Sequence, residues 1–256
     1  MPIRGYVLSA MLSLLPTAGD GLAATEIRTA AQLGTEPKFQ STGPGEGHVA
    51  GICIDIMRAV EKLDSGLRFT GDQIWQPLPR IYSSLDRGVQ DASCGLSRNP
   101  ERERKYLFVG PALFTIRYHL VARIDDPAVV DNWDDLRRLE PDNVVLANRG
   151  FAGVGILEQA GVARIDAGAG DPRLNLQKLL AHRGRFFFHR TPGLKSLLER
   201  AGVASKVKIL PAEMAASPLY FMVSRQFDPA LAERLRAALQ TLEKSGELER
   251  IAKSWE

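Results

Sequence analysis

The sequence predicts an α/β protein built as two lobes. Three observations point there: short apolar strands alternate with amphipathic helices, the alternation runs twice over about 100 residues each, and the chain ends in a long helical tail. The 256 residues are 45% hydrophobic and 25% charged, which suits a globular chain and excludes disordered, collagen-like and coiled-coil classes. That length allows one large domain or two of about 100–130 residues.

The first unit opens with a short strand over 26–33. A loop with scattered Gly, Pro and Ser follows over 34–51. Residues 54–63 place Ile54, Met57, Ala59 and Val60 on one side of a helix. A strand is predicted over 67–74, a helix over 79–86 closed by Gly88, and a strand over 89–96. This β-α-β-α-β order is that of an open α/β sheet. The pattern then restarts. A strand over 115–123 precedes a short helix opened by Asn132, a strand over 143–147 and a helix over 153–159. A helix over 174–182 and a strand over 184–189 come next. Thr191-Pro192 is read as a helix start with proline in the first turn. Strands over 207–210 and 219–224 follow, and the chain is helical from Pro229. In such sheets ligands bind at the carboxyl ends of the strands, and a cleft between two lobes is the default site.

Residues 1–24 read as a secretory leader. Arg4 supplies the positive charge, 6–15 (YVLSAMLSLL) the apolar run, and Gly21-Leu22-Ala23-Ala24 the small-residue ending, with cleavage expected after Ala23 or Ala24. The run is too short for a membrane span of about 20 residues. The mature chain is therefore expected in the periplasm. There Cys53 and Cys94 either pair or remain two buried thiols. Two cysteines exclude a disulfide-dense scaffold and a four-ligand zinc finger built from cysteine alone. The net charge of +3, from 33 basic and 30 acidic residues, shows no concentrated basic stripe, so no nucleic-acid partner is expected.

Several stretches together resemble the bacterial extracellular solute-binding proteins of family 3, the periplasmic receptors for amino acids and similar polar solutes. These are Pro37-Lys38-Phe39, Gly51-Ile52-Cys53-Ile54-Asp55-Ile56, Gly95-Leu96-Ser97-Arg98-Asn99-Pro100-Glu101-Arg102, Phe108-Val109-Gly110-Pro111, and Asp134-Asp135-Leu136. The ending, with Leu242, Gly246, Ile251 and Trp255, completes the series. The resemblance implies a two-lobed periplasmic-binding-protein-like fold, two α/β domains joined by two crossing hinge segments. It implies lobe one at 25–112 plus 220–256 and lobe two at 113–219. It implies capture of a small-molecule solute by hinge closure, and delivery by a monomer to an inner-membrane permease of the ABC type.

By the same resemblance Arg102 would grip a ligand carboxylate, since a guanidinium offers a planar fork to two oxygens. Ser97 aligns with a hydroxyl that touches the same carboxylate, and also suits a turn cap. Gly95 would let the backbone approach closely. Trp75 stands where the family places an aromatic wall, or else belongs to the core. Arg80 either faces the cleft or is a solvated helix residue. Asn148 and Gly150 lie in the turn before a helix, where free amides favour anions, and His189 is placed to touch ligand. Arg190 departs from the pattern, because it stands where amino-acid receptors carry the aspartate that pairs with the α-ammonium. A cation there repels an ammonium, so Arg102 and Arg190 together favour an anion unless Arg190 points away or is neutralised by a carboxylate such as Glu36 or Glu213.

A catalytic role is not expected. No nucleophile motif is present, and His48, His119, His182 and His189 have no metal-type spacing. No cofactor is expected. The alternatives are an enzyme of the same fold, resembling cyclohexadienyl dehydratases, and a solute-sensing adaptor for a signalling partner.

Overall fold

The computed structural model describes residues 24–43, 47–139 and 141–256. Apart from Ala24, the leader lies outside them. The first half contains β1 (Thr25–Arg28), β2 (Ala31–Gln32), β3 (Gln40–Ser41), β4 (Val49–Ala50), α1 (Ile52–Leu63), β5 (Leu67–Thr70), β6 (Trp75–Gln76), α2 (Leu78–Asp86), β7 (Ala92–Ser97) and α3 (Pro100–Lys105). The 18-residue strand β8 (Tyr106–Arg123) crosses to the second half. There follow α4 (Trp133–Arg138), β9 (Val145–Leu146), α5 (Ala152–Gln159), β10 (Ile165–Asp166), α6 (Pro172–Leu180), β11 (Phe186–Thr191), α7 (Leu194–Arg200) and β12 (Val207–Ile209). Strand β13 (Ala215–Ser224) returns, and α8 (Pro229–Lys244) and α9 (Glu247–Lys253) close the chain.

The two crossing strands organise the molecule. The main sheet runs β10-β9-β11-β8-β13-β7, with β12 also on β8. β8 and β13 are antiparallel on both sides of the crossing, from Tyr106↔Ser224 to Tyr118↔Ala215, with a register shift between Leu219 and Phe221. Opposite that shift lie Gly110 and Pro111, and Gly110 has φ +77. This bulge hides the alternation, which is why the predicted strand begins at 115 while β8 begins at Tyr106.

Each half has its own core. Leu113 and Phe114 on β8 belong to the first core with Ile52, Met57, Phe69 and Leu239. Tyr118 and Leu120 belong to the second with Val145, Leu157 and Phe188. Ile116 packs against both. The sheets are covered on two faces. Phe186 and Phe188 point into one cluster while Phe187 points into the opposite one with Leu176 and Leu198, the period of two expected of a strand. Phe69 stacks on Phe221 at 5.6 Å, tying β5 to the crossing strand.

Three local readings change. The predicted strand over 26–33 divides into β1 and β2, because β1 pairs with β5 and β2 with β6. The break faces Gly71, whose φ of +78 bends the partner chain. Pro192 is not in a helical first turn: β11 stays extended to Thr191, paired with Arg117, and α7 begins only after Gly193 at φ +95. The terminal helix is two helices, separated at Gly246 with φ +75.

Candidate functional site

In the first half of the chain the site begins at the end of β7. Asn99 caps α3 by accepting from the Arg102 amide at 2.8 Å, so Arg102 sits in the first turn. Its guanidinium turns back on the strand. Nη1 donates to the carbonyl oxygen and the hydroxyl of Ser97, each at 2.8 Å, and Nε donates to the Tyr82 hydroxyl at 2.7 Å. Tyr82 stacks on Tyr106 at 5.8 Å, and Tyr106 donates to Asp86. Nη2 has no partner among the described residues. Since Asn99 is the cap, the hydroxyl of Ser97 is left to orient Arg102.

Gly95 has φ +76, a backbone region that disfavours side chains. The space beside it is filled by protein: an added Cβ would lie 2.5 Å from the side chain of Lys38 and 3.1 Å from Sγ of Cys53. Cys53 and Cys94 are disulfide-bonded and fully buried, joining the start of α1 to β7 directly behind this point.

Lys38 is the residue the motif reading passed over. It is only 6% exposed, and its ammonium donates to Gln32 Oε1 at 2.6 Å and to the carbonyl of Gly95 at 3.0 Å. Burial, followed by the charges of Arg190 and Arg102, lowers its pKa from 10.5 to about 7. The available signal was its place inside Pro37-Lys38-Phe39, a lysine between two residues that are themselves buried.

In the second half, Asn148 is buried and accepts from Asn175 Nδ2 at 2.7 Å, while its own Nδ2 has no partner among the described residues. Gly150 is exposed in the turn with φ +82. α5 has no capping side chain, unlike α3, α4, α6 and α8. Phe151 at its cap position lies under Arg190, whose guanidinium stands 5.1 Å from the ring centre. Arg190 also donates to the backbone carbonyl of Glu36 at 3.1 Å, joining β11 to the loop after β2. Burial lowers the pKa of Arg190, with the Glu36 charge acting the other way. His189 stacks on Phe187 at 5.0 Å and is pushed down to about 3, by burial first and then by Arg190, so it is neutral at pH 7.

Asn148, Phe151, His189 and Arg190 line a cavity of about 300 Å³ together with Glu36 and Trp255. Arg102 does not line this cavity but a separate one of about 140 Å³ with Tyr82, Glu101 and Tyr106, and Lys38 lies in the field of both arginines. Trp75 packs against the first core, and Arg80 is exposed on α2; neither lines the cavity. Glu213 pairs with Arg117 at 2.8 Å and so does not neutralise Arg190. No carboxylate lies within ion-pair distance of Lys38, Arg102 or Arg190 among the described residues. A larger cavity of about 730 Å³ lies against β8 and α9; of its cations, Arg117 and Lys253 pair with Glu213 and Glu249, while Lys195 makes no ion pair among the described residues. No helix among the described residues is long and apolar enough to cross a membrane.

This fold and cleft belong to the binding-protein class, and the sequence places the chain within it. Residues 29–256 match the bacterial extracellular solute-binding proteins, family 3, and the chain belongs to that family. No curated protein sequence matches it. Among solved structures, the chain is similar to the probable amino-acid ABC transporter extracellular-binding protein YtmK from Bacillus subtilis. The TM-score is 0.75 at 15% identity, covering 91% of this chain and 97% of that one. An ancestral cationic amino acid solute-binding protein matches with TM-score 0.68 at 19% identity, over 90% and 95% of the two chains. A histidine kinase sensor domain similar to periplasmic binding proteins matches with TM-score 0.64 at 20% identity, over 91% and 96%. At these identities the likeness establishes a shared two-lobed fold.

Proposed function

We propose that this chain is a periplasmic receptor that captures a small anionic solute by hinge closure and delivers it to an ABC-type permease. In this reading lobe one is 25–112 with 220–256, and lobe two is 113–219. The observation that carries it is the pair Arg102 and Arg190, one on each lobe, neither with a carboxylate partner. Both guanidiniums are half-buried, and an anion between the lobes would offset the cost of holding them partly out of water without a paired carboxylate. The unpartnered Nδ2 of Asn148 and the uncapped first turn of α5 add donors beside Arg190. In this reading the bond from Arg190 to the Glu36 carbonyl is one of the contacts that closure would form.

Thermal-shift screening of the mature protein tests this. A solute at one hundred times its dissociation constant adds about 2.7 kcal/mol of stability. Dicarboxylates should stabilise the protein more than α-amino acids; equal stabilisation by both classes sinks the anionic reading.

A second reading has one observation behind it. The fold is also similar to an ancestral amino acid-binding protein described as a precursor of cyclohexadienyl dehydratase. That chemistry needs an acid able to protonate a leaving hydroxyl, and Glu36 and Glu256 are carboxylates lining the cavity. Purified protein is expected not to turn over prephenate or arogenate; measurable turnover would favour the enzyme.

A further inference from the structure

Two asparagines are buried together beside the candidate site. Asn148, in the turn before α5, is 3% exposed, and Asn175, near the start of α6, is fully buried. A buried amide is costly unless its hydrogen bonds are made. Here the bonds that are made fix which way each amide points. Nδ2 of Asn175 donates to Oδ1 of Asn148 at 2.7 Å and to the carbonyl oxygen of Ala169 at 3.5 Å. A backbone carbonyl only accepts, so the edge of Asn175 that meets both partners is its amino edge. Turning both amides over would set Oδ1 of Asn175 against the Ala169 oxygen. The turn that carries Asn148 is itself pinned. The Ala169 carbonyl also accepts from the Arg149 amide at 2.9 Å, and the Asn148 carbonyl accepts from the Phe151 amide at 3.2 Å.

With its oxygen turned to Asn175, Asn148 has the N–H groups of Nδ2 left to offer, and these have no partner among the described residues. Oδ1 of Asn175 has none either, but Asn175 does not line the cavity of about 300 Å³, whereas Asn148 does, with Phe151 and Arg190. Phe151 is also where α5 begins without a capping side chain. An open amide donor, a cation and the free end of a helix thus border one cavity.

We propose that Asn175 is a positioning residue for solute selection. It holds the Asn148 amide with its oxygen toward α6, so that Asn148 donates to the acidic group of the solute and presents no acceptor to an ammonium. This rests on the anionic reading above and assigns the residue that sets the donor sense of the site. An asparagine left to itself offers either edge, since its two ends are alike in shape and opposite in hydrogen bonding. The choice between them is therefore made from α6, by a residue that lies outside the cavity.

The test is titration calorimetry of the mature protein with succinate, glutarate and inorganic phosphate, on wild type, Asn148→Ala, Asn175→Leu and the double variant. Asn148→Ala should weaken the anions that bind about tenfold or more, the range for a lost hydrogen bond to a charged group. Asn175→Leu should weaken them about three- to tenfold by freeing the Asn148 amide. In the Asn148→Ala background it should change nothing further, because the group it positions is gone. A purely structural role for Asn175 would lower affinity in both backgrounds. A second measurement needs no variant: the side-chain amide signals of Asn148 in the wild type, followed by nuclear magnetic resonance, should shift as the anion saturates the protein. Wild-type affinity in Asn148→Ala, additive losses in the double variant, or an Asn148 side-chain signal unmoved at saturation overturns the role of the pair and leaves the anionic reading standing. If none of the three anions binds the wild type, both fall together.

Discussion

Nη1 of Arg102 donates to both the carbonyl oxygen and Oγ of Ser97, each at 2.8 Å. The strand end thus aims the arginine, and Tyr82 holds its other edge through Nε. The guanidinium makes no ion pair on which the fold depends. Arg102→Ala should therefore abolish dicarboxylate binding, a loss of about 100-fold or more, comparable with the 2–5 kcal/mol lost when one partner of a charge pair is truncated. The melting temperature should move little. Calorimetry beside a thermal melt checks it, and a loss under fivefold would contradict the assignment.

On the anionic reading, Arg190 sets the selectivity. Arg190→Asp replaces a cation with the group that receptors for α-amino acids present to an ammonium. The variant should lose dicarboxylate affinity and gain measurable affinity for α-amino acids, read in one thermal-shift panel. Unchanged ranking of the two classes would show that Arg190 does not face the solute.

Gly95→Ala meets two obstacles. The residue has φ +76, and its new Cβ would lie 2.5 Å from the Lys38 side chain. The expected destabilisation is about 1–3 kcal/mol, read by denaturant unfolding. A variant with wild-type stability would mean that the glycine conformation is not required.

The acid limb of stability should report His189. Its folded pKa is depressed to about 3 from 6.5, so the unfolded chain binds the proton first. Stability associated with the neutral ring is present above about pH 6.5 and is lost as pH falls toward 3. His189→Gln should resist acid better than wild type. Lys38 acts on the alkaline side by the same rule. Its folded value near 7 lies below the unfolded 10.5, so ligand-free protein should gain stability between those values, and Lys38→Met should not. Urea unfolding from pH 3 to pH 10 reads both; parallel profiles for variant and wild type would refute them.

The Cys53–Cys94 bond closes a loop of 41 residues. Its removal should cost about 2–4 kcal/mol. Replacing both cysteines with alanine, and comparing melts with and without reductant, measures the effect. A melt of the wild type that reductant does not shift, together with a stable double variant, would refute it.

The fold was legible because strand and helix periods are strong in this chain, as in 54–63 and 115–123, and because the family motifs keep their order. What escaped had physical reasons. The Gly110 bulge breaks the period that would have revealed the first half of β8. The division of β1 from β2 follows from which partner each finds across space. At the site, Arg190 stood out as a reversed charge at a motif position, and the structure brings it to one cavity with Asn148 and His189. Lys38 did not stand out: lysines are ordinarily solvated, and only the packing of Gly95, Phe39 and the disulfide around it reveals that this one is buried. Tyr82 and Phe151 act through contacts with residues 20 and 39 positions away, which no local pattern carries.

The ribbon formed by β8 and β13 limits how this protein can be dissected. Both strands are shared property of the two cores, paired from Tyr106↔Ser224 through Tyr118↔Ala215. A fragment that ends at the crossing would strip its partner strand and leave a long unpaired edge, the kind that recruits other chains. Neither half is expected to fold when expressed without both strands. Chimaeras that exchange lobes between homologues should carry both strands together, as one recombination block.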